Sequence, residues 1–299
     1  MNTSTIKQWI KHQLISNGID LSVHNIAKEK YTGQKIAFVH IAKCGGTSLD
    51  IALRKSLANP HERRIDRQAS IISSLSTFSH EINSIDTACD FSEYHAERLQ
   101  YLFAQYLDLN WQYVSGHVAL NADTLNRYKN DYAFVTMLRD PVKRFISNYI
   151  FNKLTNSNTY MLPNNLSTDS IIKEANEVIN SRRGWHMANT PTMCITGRFP
   201  VDIEHAKSLS QVFAENISKF SVVGFLNNTN SFARKIENLT GRAIHIHHKN
   251  SVNTINNKPS NEIKTTLKTF FNEKSTRNKL DKLCEFELIN YKNALEIYK

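Results

Sequence analysis

The segment Lys35-Ile-Ala-Phe-Val-His-Ile-Ala-Lys-Cys-Gly-Gly-Thr-Ser-Leu49 constrains the fold of this 299-residue chain more than any other. The apolar run from Ile36 to Ile41 predicts a buried β-strand over 35–41. Gly45 and Gly46 predict a tight turn, because neither has a Cβ and both tolerate positive φ. Thr47 and Ser48 then open a helix over 47–57, continued by Leu49, Ile51, Ala52 and Leu53. A helix that starts in a turn after a strand aims its free amides and the positive end of its dipole at one spot, which favours an anion such as a phosphate. Lys43 adds a cation on the near side of the turn, and Thr47 and Ser48 add hydroxyls on the far side.

The order of residues matters. A Walker A loop places its lysine directly before the hydroxyl residue. Here Lys43 comes before the glycines, at the end of the strand. No acidic residue ends a later apolar strand in the way a magnesium site requires. A kinase needs that metal to neutralise a heavily charged phosphoryl group, so the turn suits a donor whose transferred group carries less charge.

A second strand-end site lies in Tyr132-Ala-Phe-Val-Thr-Met-Leu-Arg-Asp-Pro-Val-Lys-Arg-Phe-Ile-Ser-Asn-Tyr149. Ala133 to Leu138 predict a buried strand with Arg139 at its end. Asp140 suits a helix cap and Pro141 the first turn of a helix over 141–153. Ser147 falls about two helical turns past Arg139, so the two side chains can share one phosphate.

Further strands are expected near 112–117, over 221–226 and over Ala243–His247, with helices around Tyr94–Leu107 and near 168–181, 229–240, 260–272 and 276–298. Alternating strands and helices imply an α/β fold: one P-loop-like domain with a central, mostly parallel sheet flanked by helices. Ligands of such sheets bind beyond the carboxyl ends of the strands. Residues 1–34 are expected to form an N-terminal helical extension, since Ile6, Trp9, Ile10 and Leu14 share one helical face. Docking onto the domain is its first reading, and a peripheral membrane or partner contact its second. The domain proper is expected over 35–299, with a polar, irregular insert at about 59–110.

The two anion-binding segments together resemble the sulfotransferases that use 3′-phosphoadenosine 5′-phosphosulfate. The similarity is strongest to the branch with the pattern "FVHIPKTGGTSL … LRDPVxRFxSxY", which includes glycan O-sulfotransferases of the Golgi and bacterial relatives. The matching residues are Phe38-Val-His-Ile-Ala-Lys-Cys-Gly-Gly-Thr-Ser-Leu49 and Leu138-Arg-Asp-Pro-Val-Lys-Arg-Phe-Ile-Ser-Asn-Tyr149. The resemblance implies that Lys43, Cys44, Gly45, Gly46, Thr47 and Ser48 hold the 5′-phosphosulfate, and that Arg139 and Ser147 hold the 3′-phosphate. It implies that His117, at the end of Tyr113-Val-Ser-Gly-His-Val118, is the general base. It also places Asn189 among the nucleotide contacts, although the usual glutamine and arginine of that segment are Pro191 and Met193 here. The product would be adenosine 3′,5′-bisphosphate, and the 59–110 insert would face the acceptor.

The chemistry asks for these residue types. An acceptor hydroxyl must lose a proton, and histidine with its ordinary pKa near 6.5 suits that task. Charge develops on the leaving phosphate, where a fixed lysine acts mainly on the transition state. No metal is required by a sulfuryl group, and none is expected. His245, His247 and His248 alternate but have no Cys or carboxylate partner at a telling spacing. The reading is therefore a metal-independent O-sulfotransferase whose acceptor is a hydroxyl-bearing glycan or glycolipid. A P-loop small-molecule kinase and a non-catalytic binder of nucleotides or anionic glycans are its rivals.

Composition narrows the setting. A formal net charge of +10 suits a polyanionic cofactor and is compatible with an anionic acceptor. The positive residues are scattered and no nucleic-acid module is recognisable, so no nucleic-acid partner is expected. Cys44, Cys89, Cys194 and Cys284 form no CxxC pair, which favours a reducing compartment. Cys44 has two readings, an activated thiol in an electropositive turn or a small residue tolerated there. Without an apolar run of about 18 residues or a signal-peptide pattern, a cytoplasmic bacterial-type enzyme is expected, with a trimmed lumenal Golgi domain as the alternative. Trp185 is read equally as a stacking platform or as core.

Overall fold

The computed structural model describes residues 31–155, 167–246 and 258–298, with the backbone alone at 168, 169, 258 and 259. The expected N-terminal helix, His247 and His248 lie outside these residues.

The sheet has four strands, β1 (Lys35–Val39), β2 (Tyr113–Gly116), β3 (Tyr132–Leu138) and β4 (Val222–Phe225). Their order is β2-β1-β3-β4 and each pairing is parallel. All seven residues of β3 are buried, as expected for a strand covered by helices on both faces. Chain order moves from β1 outward to β2 and then returns to β3 on the other side of β1. That reversal makes the gap between β1 and β3 a topological switch point, where the crevice beyond the carboxyl ends opens.

Thirteen α-helices surround the sheet among the described residues. Helix α1 (Gly46–Leu57) follows the glycine turn, and Arg54 and Lys55 sit favourably in its last turn. Helices α2 (Arg67–Leu75) and α3 (Ile85–Asp108) build the insert. The Ser84 and Thr87 side chains form a capping box that starts α3. Helix α4 (Ala122–Tyr128) links β2 to β3. Helix α5 (Pro141–Leu154) starts as its sequence predicts, with Pro141 in the first turn and the Asp140 carboxylate accepting from the Lys143 amide at 2.8 Å.

Helices α6 (Thr168–Ile179), α7 (Arg182–Ala188), α8 (Thr190–Thr196) and α9 (Ile203–Ile217) lead to β4, and α10 (Thr229–Thr240) follows it. The chain closes with α11 (Lys258–Asn272), α12 (Lys274–Leu283) and α13 (Glu285–Tyr298). One apolar cluster fills the space around the sheet. A second joins α5, α6, α7, α11 and α12 through Phe145, Tyr149, Phe271 and their neighbours.

Several expectations are corrected. The insert is not irregular, since α2 and the 24-residue α3 occupy most of it. Polar residues dominate there because both helices keep one face in solvent. The stretch Ala243–Ile246 has no strand, because its backbone pairs with no sheet neighbour. The Ile244 amide is instead held by the Glu237 carboxylate at 2.8 Å. The last expected helix is two, α12 and α13, joined at the buried Cys284. Helices α7 to α9 each bury one face that no motif announced, and in α7 and α8 that face includes Arg183, His186, Thr190 and Thr192.

Candidate active site

Lys43, His117 and Arg139 follow the carboxyl ends of three neighbouring strands, β1, β2 and β3. The sheet alone therefore brings together residues far apart in sequence. Hydrogen bonds tighten the arrangement. The His40 amide donates to the Gly116 carbonyl at 3.0 Å, which extends the β1–β2 ladder to the start of the turn. The Thr136 hydroxyl donates to the Val39 carbonyl at 2.8 Å. The Arg139 guanidinium donates to the Lys43 carbonyl at 3.1 Å, so the end of β3 grips the turn after β1.

The turn is made by two left-handed residues. Lys43 has φ 66° and Gly45 has φ 77°. A non-glycine residue in this region costs of order 1–3 kcal/mol and survives only where its surroundings impose it. The grip of Arg139 on the Lys43 carbonyl is such a surrounding. Gly46 does not have positive φ. It is needed for space, since a Cβ there would lie 2.1 Å from His40 Cδ2.

No side chain caps α1, so its first-turn amides face the turn without an internal partner. Gly45 and Thr47 are exposed, and the Thr47 hydroxyl makes no hydrogen bond among the described residues. Ser48 is half-buried and engaged within the protein. These groups suit a phosphate: an uncapped helix end, a glycine cradle and cations on either side.

Lys43 lies half-buried with its ammonium 3.7 Å from the centre of the Phe151 ring, on α5. Burial, with the neighbouring Arg139 charge, lowers its pKa to about 8. Ser147 is half-buried on the same helix and makes no hydrogen bond among the described residues. Ser147 thus belongs to the helix that covers Lys43, and Arg139 lies between β3 and the start of that helix.

His117 Nδ1 lies 2.9 Å from the His40 carbonyl. A carbonyl oxygen can only accept, so the proton of the neutral ring sits on Nδ1 and Nε2 keeps its lone pair. The His117 ring stacks on His40 with centroids 4.1 Å apart. Burial first, then the Arg67 charge, pushes the His117 pKa down to about 4, against the opposing pull of the His40 carbonyl and Asp50. The ring is therefore neutral at physiological pH.

His40 is the residue that sequence reasoning undervalued. The strand expected over 35–41 would enclose it, yet β1 ends at Val39. Its ring lies between Phe38 and His117 and presses on the Gly46 backbone. It couples the imidazole after β2 to the turn after β1. The run Phe-Val-His ending at the turn was the available signal.

Other candidates have different roles. Cys44 is fully buried and its thiol pKa is raised to about 12 by burial, so the activated-thiol reading is overturned. Only its backbone faces the turn. Trp185 donates its indole N–H to the Pro200 carbonyl, which ties α7 to the segment after α8. Asn189 is buried between α7 and α8, and its amide donates to the Trp185 carbonyl at 2.9 Å. Arg144 was not singled out, although it is fully buried and donates to the carbonyls of Met187 and Ala188. It fastens the Asn189 segment to α5. No cluster of metal-ligating side chains occurs among the described residues, and no described helix is long and apolar enough to cross a membrane.

This architecture defines a class: a parallel α/β protein with a glycine turn and an uncapped helix start at a switch point and a neutral histidine beside them. The sequence profile of the sulfotransferase family matches residues 30–292. The chain belongs to the sulfotransferase family, whose members transfer sulfuryl groups. No curated protein sequence matches it.

Proposed function

We propose that the protein is an O-sulfotransferase that uses 3′-phosphoadenosine 5′-phosphosulfate and deprotonates its acceptor with His117. The observation that carries this reading is the coupling of three strand ends: Arg139 bonded to the Lys43 carbonyl, and His117 stacked on the His40 ring that presses on Gly46. When bound, the nucleotide supplies the sulfuryl group and a bisphosphate leaving group. The α1 amides, Gly45, Thr47, Ser48 and the backbone of Cys44 would hold its 5′ end. Arg139 and Ser147 would hold the 3′-phosphate, and Asn189 would lie on the nucleotide side.

His117 Nε2 is the atom placed to take the acceptor proton, because Nδ1 is committed to the His40 carbonyl. A base with a pKa near 4 is weak in the free protein. Anionic nucleotide beside it would raise that value toward neutrality, since a nearby negative charge favours imidazolium. Lys43 would stabilise charge growing on the leaving phosphate, and its pKa of about 8 leaves it mostly protonated at pH 7.

Calorimetric titration tests the nucleotide half of this reading. Adenosine 3′,5′-bisphosphate should bind more tightly than ATP, and the preference should shrink in Arg139→Ala. Tighter binding of ATP with magnesium-dependent turnover would replace the reading with a kinase. Binding of the bisphosphate without transfer to any hydroxyl would leave only a nucleotide-binding protein.

A further inference from the structure

The ammonium of Lys43 sits on an aromatic ring instead of on a carboxylate. It lies 3.7 Å from the centre of the Phe151 ring, well inside the range of about 6 Å over which a cation is drawn to a ring face. Among the described residues it has no ion pair and no hydrogen bond, and the charge that bears on it is the like charge of Arg139. Burial and that guanidinium both disfavour the charged amine. The ring face is the group that opposes them.

The ring stands on a stiff support. Phe151 is half-buried about one turn after Ser147, so both side chains share a face of α5. The other side of α5 is pinned to α6: the Tyr149 hydroxyl donates to the Glu174 carboxylate at 2.8 Å, and the Lys153 ammonium pairs with the same carboxylate at 2.5 Å. The Phe151 carbonyl accepts from the Thr155 amide at 3.0 Å and from the Thr155 hydroxyl at 2.8 Å, which closes the last turn. Lys143 shares the face of Phe151 but lies about 12 Å back along the helix axis. Asp140, at the helix start, acts on Arg139.

A ring suits this position better than a carboxylate would. A carboxylate would hold the ammonium more firmly, but its charge would repel a polyanionic nucleotide and compete with the phosphate for Lys43. A phenyl ring has no net charge and carries negative potential on its faces. It can steady a cation on a flexible four-carbon stem and yield it to an anion that binds more strongly.

We infer that Phe151 is a positioning residue that acts through Lys43: its ring face keeps the ammonium charged and in place until the leaving phosphate takes it over. The consequence for catalysis rests on the sulfotransferase reading. The hold on the ammonium does not.

The first test needs no turnover. Trace acetylation with acetic anhydride across pH, read at Lys43 by mass spectrometry, gives the midpoint at which the amine loses its proton. Phe151→Leu keeps an apolar contact but has no π face, and there the midpoint should fall by about 0.5–1 pH unit, equivalent to about 0.7–1.4 kcal/mol. Phe151→Tyr should keep the wild-type midpoint. Pentafluorophenylalanine at position 151 keeps the ring but inverts its quadrupole, and should move the midpoint in the same direction as leucine. An unchanged midpoint in Phe151→Leu would overturn the inference, and so would an equal fall in Phe151→Tyr. Should Phe151→Leu not fold, the fluorinated ring decides the question.

The second test measures transfer from 3′-phosphoadenosine 5′-phosphosulfate. In Phe151→Leu the basic limb of kcat/KM should move down with the acetylation midpoint, whereas a purely structural defect would lower the melting temperature and leave both in place. A midpoint that moves while the limb stays would overturn the action through Lys43 on catalysis. No transfer by the wild type would sink the sulfotransferase reading instead, and acetylation would still decide what Phe151 does to Lys43.

Discussion

The turn after β1 and the cleft between α2 and α3 both connect to the end of β2, one through His40 and the other through Ile65, and they are built in opposite ways. The turn is made of consecutive residues, and its binding groups are mostly backbone. Its geometry depends on one left-handed lysine, one left-handed glycine and one glycine chosen for space. The cleft is made of side chains from two helices, held by the Arg64–Asp50 pair and the Ile65–Gly116 contact. A backbone site tolerates few sequences, so it reads as a motif. A side-chain site can be rebuilt by substitution without disturbing the fold, so it leaves no fixed pattern.

The contrast can be broken by mutation, and the largest effect should come from the histidine that follows β2. His117→Ala should reduce turnover by about 10²–10⁴-fold, the usual contribution of a positioned base. Bisphosphate affinity, read by calorimetry, should stay unchanged. Wild-type turnover in that variant would remove His117 from the chemistry.

Gly46→Ala comes next. Its methyl group would lie 2.1 Å from the His40 ring, so His40 and the stacked His117 must move. Misplacement on the order of 1 Å can cost about 10²-fold in rate, and overpacking adds about 1–3 kcal/mol of destabilisation. Steady-state kinetics and a thermal melt measured together separate the two effects. A variant that melts lower but keeps its rate would show that the ring stack does not position the base.

Arg139→Ala should weaken bisphosphate binding by roughly 10–100-fold, corresponding to about 1.5–3 kcal/mol for a charge-assisted hydrogen bond. Unchanged affinity would remove Arg139 from the nucleotide site.

The pH profile sharpens the comparison further. His117 must be neutral to accept a proton, so kcat/KM should fall as pH drops through about 4. Lys43 must be charged to stabilise the leaving group, so kcat/KM should fall as pH rises through about 8. The limbs of kcat should lie higher, because bound anion favours both protonated forms. A basic limb that persists in Lys43→Met would assign it to another group.

The smallest effect belongs to the cleft wall. Tyr101 is 77 % exposed, so Tyr101→Ala should change stability by no more than about 0.5 kcal/mol by chemical denaturation. A larger loss would mean that the wall is part of the core.

The legibility of the molecule follows the same division. Strands β1, β3 and β4 and helix α5 were readable because continuous apolar runs and the Asp140-Pro141 start have no competing local solution. Lys43, His117 and Arg139 were readable as strand-end residues. The role of Gly46 was misjudged because its constraint is a contact with His40, and contact is not a local property. Cys44 was ambiguous because a turn residue can face either the anion or the core, and here it faces the core. Helices α7 to α9 went unnoticed because they are held from outside their own sequence: Arg144 donates to the carbonyls at the end of α7, and α8 and α9 pack into the cluster around the sheet.

The sequence by itself determined the alternation of strands and helices, the glycine turn and the cations after β1 and β3, because backbone conformation and hydrophobic periodicity are set by neighbouring residues. Tertiary structure alone decided that His40 joins His117 to the turn, that the Cys44 thiol is buried and that the insert opens a cleft between α2 and α3. Those properties depend on which surfaces meet, and residues distant in sequence meet only when burying apolar area around the sheet brings them together.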